Sequence, residues 1–348
     1  MTRTVRLGLC ILALLSLTVA CGGGGGEPSA SSSSTRLTMN VGVQSVILQT
    51  YYPELAQSLG FFDDENLDAK ITVGDSTATA VQALLGGSLD VYVGGPEGLA
   101  ANEQGADVRF VAAAANRSIW NVVAAPGISD IKQLQGANVG VSALQSISTV
   151  TTRQALRAQG VDPSTLTLVT AGGTSKRYAA LQAGQVKAAP LGIPVNYQAS
   201  QSKGFKDFGS TNELGAPPIA SVVVAVSKKW ANAHPEQMQR FLRAYQRTID
   251  ALYDPSQQQR VVDILSKGLK VEPQYVERAL QDMFRSGPEA GQVMPRDAHI
   301  DKGALQTAAD AMLEFGGLKA RVDVSTAIDQ SYLEKAQASL RTAPPPPR

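Results

Sequence analysis

One stretch of this chain is written twice, about 97 residues apart, and that doubling limits the possible folds more than any other feature. Val41-Gly42-Val43-Gln44-Ser45 recurs as Val139-Gly140-Val141-Ser142. Ala83-Leu84-Leu85-Gly86-Gly87-Ser88-Leu89-Asp90-Val91 recurs as Ala180-Leu181-Gln182-Ala183-Gly184-Gln185-Val186-Lys187-Ala188, and Gly95 then falls opposite Gly192. The first string is offset by 98 residues, from 41 to 139, and the second by 97, from 83 to 180. Two units of about 95 residues are too few for a solenoid, which needs at least about three repeats. They suit two like lobes facing each other, and a cleft between lobes is a common ligand site.

The N-terminus points outside the cytoplasm. Arg3 and Arg6 precede an apolar run from Leu7 to Ala20. About 14 residues is short of the roughly 20 that a membrane span needs, and fits the hydrophobic part of a secretory signal. Leu17-Thr18-Val19-Ala20-Cys21 resembles the bacterial lipobox, which implies that Cys21 carries a lipid and becomes the first mature residue. A plain secretory signal cut nearby, with Cys21 incidental, is the alternative. Five glycines, Glu27-Pro28 and the serines 31–34 cannot bury a core. They predict a flexible tether reaching on the order of 20 Å. The expected order is therefore a signal at 1–20 and a lipidated cysteine with its tether at 21–35. No later segment is apolar enough to span, so the membrane is met only through the lipid anchor, on the extracytoplasmic side.

Removing residues 1–20 takes away Arg3 and Arg6 and no acid, leaving 29 basic against 30 acidic residues. Near-neutral charge with no basic block argues against nucleic acid as a partner. Cys10 leaves with the signal and Cys21 is lipidated, so the mature fold has no thiol to pair. His234 and His299 are the chain's two histidines, too few for a Cys/His metal centre. No calcium-loop spacing occurs either. No metal and no cofactor are expected, and the 328 residues that remain suffice for two lobes of ordinary size.

Along the chain, apolar strands alternate with helices of about ten residues, which predicts mainly parallel sheets. The first unit has strands near 37–43, 69–73, 91–93, 108–115 and 121–125. Helices fall between them at 47–60 and after the capping pair Ser76-Thr77. The second has strands near 137–141, 166–170 and 186–191, with helices at 149–159 and 175–183. Ser221 to Val226 is a β-branched strand crossing back. Two hinge crossings are expected near 122–128 and 219–226, with lobe I at 36–125 and 222–340 and lobe II at 126–221. After His234-Pro235-Glu236, residues Met238, Phe241, Leu242, Tyr245, Ile249 and Leu252 recur at steps of three and four, a core-facing helix stripe. A disordered proline-rich tail is expected at 341–348.

Several strings now carry a resemblance. Tyr52-Pro53-Glu54-Leu55-Ala56, Leu59-Gly60-Phe61-Phe62 and Glu65-Asn66-Leu67-Asp68 are similar to the first-lobe signature of ABC-transporter solute-binding proteins. The branch is the one handling alkanesulfonates, taurine, nitrate and the pyrimidine precursor of thiamine. Ala83-Leu84 with Gly87-Ser88-Leu89-Asp90-Val91 resembles its alanine-leucine, glycine, aspartate step. Ile128-Ser129-Asp130-Ile131, Leu134-Gln135-Gly136 and Val139-Gly140-Val141 resemble its entry to the second lobe. Ala180-Leu181, Gly184-Gln185-Val186, Trp230-Ala231 and Pro235-Glu236 extend the match to roughly 37–260. It implies a two-lobed periplasmic-binding-protein type II fold, a monomeric receptor, and ABC permease and ATPase partners. Two positions depart: Lys187 stands where the family usually has an acid, and Asn66 where it often has glycine. Asn tolerates a left-handed backbone, so the second change is mild.

Ligands of open α/β sheets bind beyond the carboxyl ends of the strands, where helix N-termini point. In lobe I that rule selects Gln44, Ser45, Ser76, Thr77, Gly94, Gly95, Asn116, Arg117 and Trp120. In lobe II it selects Ser142, Ser146, Ser148, Thr149, Gly173, Thr174 and Gly192. These loops are rich in hydroxyls and glycines. Free N–H groups at helix ends and rotatable hydroxyls stabilise an oxyanion without a formal cation. The expected ligand is a small organic anion, sulfonate- or taurine-like, or nitrate; a pyrimidine-type heterocycle stacking on Trp120 is the alternative. Ser76, Ser146 and Ser148 have helix capping as a competing duty, and Arg117 a surface one. Against an enzyme, the chain has no Gly-x-Ser-x-Gly elbow, phosphate loop or Gly-x-Gly-x-x-Gly fingerprint. Sensing without transport remains a second alternative.

Overall fold

The apolar run at 37–43 forms strand β1 (Leu37–Val43), flanked by two parallel partners, β2 (Leu67–Val73) and β3 (Val91–Gly94). These are the first elements of a computed structural model that describes residues 35–74, 77–285 and 293–342. The expected signal and tether, Cys21, Ser76 and the prolines 344–347 lie outside the described residues. Helix α1 (Tyr52–Leu59) starts later than expected because Pro53 sits in its first turn, where the missing N–H costs no helical bond. It ends at Gly60, whose φ of 83° is left-handed and suits a residue without Cβ. Helix α2 (Phe61–Asp64) follows, and Asn66 then takes φ 48°, the conformation expected of it. Helices α3 (Thr77–Gly86) and α4 (Gly98–Glu103) flank β3, and β4 (Val108–Ala115) completes the first run.

The next strand, β5 (Trp120–Ala124), belongs to a different sheet. That second sheet contains β6 (Asn138–Val141), β7 (Thr167–Thr170), β8 (Ala188–Gly192) and β9 (Lys206–Ser210). Its helices are α5 (Ile147–Ala158), α6 (Thr174–Gln182) and α7 (Val195–Gln201). Strand β10 (Val222–Ser227) then returns to the first sheet. The strand orders are β2-β1-β3-β10-β4 and β7-β6-β8-β5-β9, the same order twice. In each sheet four strands run parallel, and the one antiparallel strand enters directly from the other half.

The repeat in sequence is therefore a repeat in hydrogen bonds. Asp90 N–H donates to Asn40 O at 2.9 Å, and Lys187 N–H to Asn138 O at 2.8 Å. Ser88 N–H and Gln185 N–H each close on the alanine carbonyl five residues earlier, at 3.0 Å. The departure at Lys187 sits at the start of β8 and leaves this pattern intact. Asp90 differs by also accepting the Asn40 N–H on its side chain.

The first crossing lies earlier than the sequence suggests. Val122, Val123 and Ala124 are fully buried within the second sheet, so the chain changes lobes at 116–119 rather than at 122–128. The return precedes Val222, over about 211–221. Strand β9 was not foreseen, because Lys206-Asp207-Phe208-Gly209-Ser210 carries neither alternation nor β-branched residues.

The C-terminal third is helical: α8 (Lys228–Ala233), α9 (Pro235–Tyr253), α10 (Gln258–Leu269), α11 (Pro273–Leu280), α12 (Lys302–Glu314) and α13 (Ser331–Thr342). Helix α13 thus continues two residues into the expected tail. All six residues of the α9 stripe are buried, and the helix packs on α1, α2 and α13. The segment at 293–298 is tied to β4 by Asn116 N–H on Val293 O and Ala113 N–H on Ala298 O, both 2.7 Å. Helix α12 also reaches lobe II, where Glu314 pairs with Arg157 and Arg153 lies 4.2 Å above the Phe315 ring.

Glu54 on α1 sets a pH limit on this packing. Burial pushes its carboxyl up to about 7, and Oε2 is enclosed with no hydrogen-bond partner. In the unfolded chain the same group titrates near the ordinary glutamate value of about 4.3. The folded state therefore binds the proton more tightly, and its stability falls as pH rises from about 4.5 through 7. At pH 8, Glu54→Gln should be more stable than the parent by up to about 3 kcal/mol, with the difference vanishing near pH 4.5. Urea unfolding at the two pH values checks this.

Candidate functional site

The loops that leave the carboxyl ends of β1, β3, β6 and β7 meet around one cavity of about 620 Å³ between the two sheets. Helix N-termini converge there because every parallel strand in both sheets points its end at the gap. Gln44 and Ser45 come from the end of β1, Thr77 from the start of α3, and Trp120 from the start of β5. Ser142 and Ser146 come from the turn between β6 and α5, Ser148 from the first turn of α5, and Gly173 from the start of α6.

The lobe II wall is a network of hydroxyls. Ser142 Oγ lies 2.6 Å from Ser146 Oγ and 2.9 Å from Ser148 Oγ. Ser146 Oγ is also 3.0 Å from Thr149 Oγ1, which donates to Ala143 O at 2.7 Å. Ser146 occupies the N-cap position of α5, yet its hydroxyl makes no capping bond. The competing duty considered for it is not the one it performs; the hydroxyl is spent inside the cluster.

Two charged residues that sequence reasoning passed over face this cavity. Arg177, in the first turn of α6, is only 2 % exposed. Its Nη2 donates to Thr174 Oγ1 at 3.0 Å and its Nη1 to Ser148 Oγ at 3.4 Å, while Nε has no partner. No carboxylate pairs with it among the described residues, and burial alone pulls its pKa down to about 9, so it stays cationic at neutral pH. Glu97, which opens α4 after Gly94-Gly95-Pro96, comes from the opposite lobe. Its Oε1 accepts the Ile147 N–H at the start of α5, at 3.0 Å. Burial raises its pKa; the Ile147 N–H and the nearby Thr77 hydroxyl oppose that by favouring the charged form. The signal for both was positional: Glu97 lies three residues after Gly94 and Arg177 four after Gly173, both glycines that had been selected.

The rest of the lining is mostly apolar, with Ala78, Val81 and Leu85 on α3, Ala100 and Ala101 on α4, Leu144 after β6, and Met312 on α12, interrupted by Gln82, Gln104 and Gln145. Leu85 and Leu144 are among the few large hydrophobic side chains left exposed. The cavity thus offers apolar surface on α3 and after β6 beside the hydroxyl cluster and Arg177.

Of the residues expected in the cleft, Gln44, Ser45, Thr77, Trp120, Ser142, Ser146, Ser148 and Gly173 line it. Thr149 and Thr174 stand behind that layer, holding Ala143 and Arg177 in place. Gly94, Gly95 and Gly192 do not line it. Gly95 instead gives its N–H to Gln44 Oε1 at 3.0 Å, and Gly192 gives its own to Thr174 Oγ1 at 3.4 Å. Arg117 is not a clamp in the cleft: its guanidinium is held by Asp301 at 3.2 Å and by Asn116 O at 2.9 Å. Asn116 is also turned away, donating to His299 O at 2.8 Å and accepting from Asp301 N–H at 3.0 Å. Both residues begin the crossing and fasten the segment before α12 to it. Neither histidine lines the cavity; His234 stacks on Trp230, and His299 contacts Asp297.

The profile of the family described as NMT1/THI5 like matches residues 51–258, well over half of the chain. The chain belongs to the NMT1/THI5-like family. The matched span of this NMT1/THI5-like protein covers all of lobe II and most of the cavity lining. No curated protein matches it significantly in sequence. Among solved structures, the periplasmic nitrate-binding protein NrtA of Synechocystis PCC 6803 is 13 % identical, with a TM-score of 0.75 over 89 % of this chain and 90 % of that one. The ligand-binding component of an ABC-type import system of Staphylococcus aureus, with zinc bound, is 12 % identical at TM-score 0.71, covering 86 % and 99 %. The alkanesulfonate-binding protein SsuA of Xanthomonas axonopodis pv. citri, bound to MOPS, is 19 % identical at 0.66, covering 85 % and 99 %. A desulfinase also matches, a cysteine-to-serine mutant of DszB with biphenyl-2-sulfinic acid, 14 % identical at 0.59 and covering 87 % and 99 %. At these identities the likeness shows the fold: α/β, two-lobed, of the periplasmic-binding-protein kind.

Proposed function

We propose that this NMT1/THI5-like chain is the extracytoplasmic solute receptor of an ABC importer and captures a small organic anion in the cleft. The observation that carries the reading is Arg177, a buried guanidinium without a carboxylate partner among the described residues, set among hydroxyls at the N-termini of two helices. A buried cation without a counter-ion costs the fold stability, so its place in a cavity is explained by an anion that arrives from outside. The occupant satisfies Arg177 and the serine cluster with its charged head and lays an apolar body along Val81, Leu85 and Leu144. Cavity size supports an organic ligand over nitrate: about 620 Å³ is roughly twenty times the ~30 Å³ share of a liquid water molecule. A sulfonate with a carbon chain or ring fits that description. Trp120 keeps a stacking heterocycle as the second reading, since its ring forms part of the same lining.

Ligand bridging the two lobes stabilises the closed form by its higher affinity for it, and the closed receptor docks on the permease. Cys21 carries the lipid anchor in this reading, and the chain works as a monomer. The DszB likeness makes catalysis the rival. The binding reading is favoured because neither histidine reaches the cavity and no thiol lies among the described residues.

The test is a thermal-shift titration of the full chain with pentanesulfonate, taurine, nitrate and an aminopyrimidine. A saturable rise in melting temperature with pentanesulfonate exceeding that with nitrate is the expected result; at 100 times Kd the stabilisation is about 2.7 kcal/mol. Turnover of a sulfonate or sulfinate, with product released, would overturn it.

A further inference from the structure

The N-terminus of α5 opens on the cleft, and the protein's own Glu97 is seated on it. Helix α5 has twelve residues, and the side chain at its N-cap, Ser146, leaves the first N–H groups uncapped. Its first N–H, that of Ile147, points at Glu97 Oε1 instead, across the gap from lobe I. An anion at a helix N-terminus meets both free donors and the positive end of the dipole. Glu97 supplies such an anion from within the chain.

The fold makes room for it. A methyl group at Gly95 would collide with Glu97 Oε2 and Cδ, so the carboxylate is folded back over bare glycine backbone before it reaches α5. Glu97 Oε2 is enclosed and finds no hydrogen bond of good geometry. The same cavity is lined by Arg177, 2 % exposed, with Nε unpartnered. One buried carboxyl group and one buried guanidinium thus face one space from opposite lobes without pairing with each other among the described residues.

We propose that Glu97 is an internal competitor for the anion site: its carboxylate caps α5 across the cleft, draws the lobes together while no ligand is bound without supplying the full closure that ligand does, and must leave when an anionic solute enters. The proposal rests on the receptor reading only in that an anion is the incoming solute. Glu97 is a positioning residue for the lobes and a specificity-determining one for the ligand. Its negative charge disfavours a second anionic group near α5, so dianions bind poorly. The affinity of a monoanion is lowered by what the latch contributes in the empty state.

Two variants of the full chain separate these roles. Glu97→Ala removes the latch, and Glu97→Gln keeps its shape without the charge. Small-angle scattering of the ligand-free protein should show a larger radius of gyration for Glu97→Ala. Calorimetric titration with pentanesulfonate should show about tenfold tighter binding by both variants, since a charge–dipole contact of this kind no longer has to be broken. An unchanged radius in Glu97→Ala would overturn the latch. An expanded radius with weaker pentanesulfonate binding would overturn the competition, and mean that the lobe contact made by Glu97 supports binding instead. If Glu97→Ala expands the protein but neither parent nor variants bind pentanesulfonate, taurine or nitrate, the latch stands and the anion reading of the cleft fails.

Discussion

Replacing Arg177 by methionine is expected to weaken binding of a sulfonate probe by about 100-fold or more, while leaving the melting temperature of the empty protein unchanged or raised. The first part follows from charge: removing one partner of a buried, hydrogen-bonded ion pair costs on the order of 2–5 kcal/mol. The second follows from what Arg177 lacks. Its donors reach Ser148 and Thr174, and burial already disfavours its charge, so the empty fold bears a desolvation penalty that no carboxylate among the described residues offsets. Methionine keeps much of the volume and removes that penalty. Calorimetric titration with pentanesulfonate, beside scanning calorimetry of the ligand-free variant, checks both parts. A drop in melting temperature with affinity unchanged would make Arg177 a structural residue of α6.

Phe241→Ala should do the reverse, costing about 3–5 kcal/mol of stability with little effect on the affinity of the molecules that remain folded. Phe241 is fully buried on α9, its ring 5.9 Å from both Phe62 on α2 and Tyr245 one turn on. Tyr245 extends the stack to Tyr52 on α1, at 5.5 Å. Truncation leaves a cavity where α9 meets α1 and α2, and close-packed aromatic neighbours cannot collapse into it without leaving their rotamers. Urea unfolding reads the loss directly. A midpoint unchanged within error would mean that the α9 stripe is not part of the core of lobe I.

These two residues show what sequence pattern does and does not reveal. Phe241 announces itself: a stripe at steps of three and four can serve only a helix face, and burying that face needs no knowledge of its partner. Arg177 does not, because nothing in Thr174-Ser175-Lys176-Arg177 separates the buried cation from Lys176, one residue away. Arg117 was the more visible candidate, at the end of a long apolar strand, and the fold turns it towards Asp301 instead. The side chain of Asp301 also accepts the Ala304 N–H at the start of α12, so Arg117 helps to secure a helix some 180 residues downstream. A partner so distant in the chain leaves no periodic trace. The crossing was misplaced for a related reason: Val122-Val123-Ala124 is the same apolar strand in either sheet, and only pairing with β8 and β9 assigns it to lobe II.

The sequence by itself determined the two-lobed plan. Its doubled strings repeat because the same strand–helix unit forms twice, through backbone hydrogen bonds that close within each unit and depend on local spacing. The glycine at the end of α1, the left-handed Asn66 and the alternation of strand and helix along the chain follow from that local information. Tertiary structure alone decided the chemistry of the cleft. Ile147 and Glu97 stand 50 residues apart, on different lobes, and meet only because two sheets of like order present their strand ends to one gap. Burial at that junction is what sets Glu97 and Arg177 apart from the chain's ordinary charged residues, raising the pKa of the one and lowering that of the other.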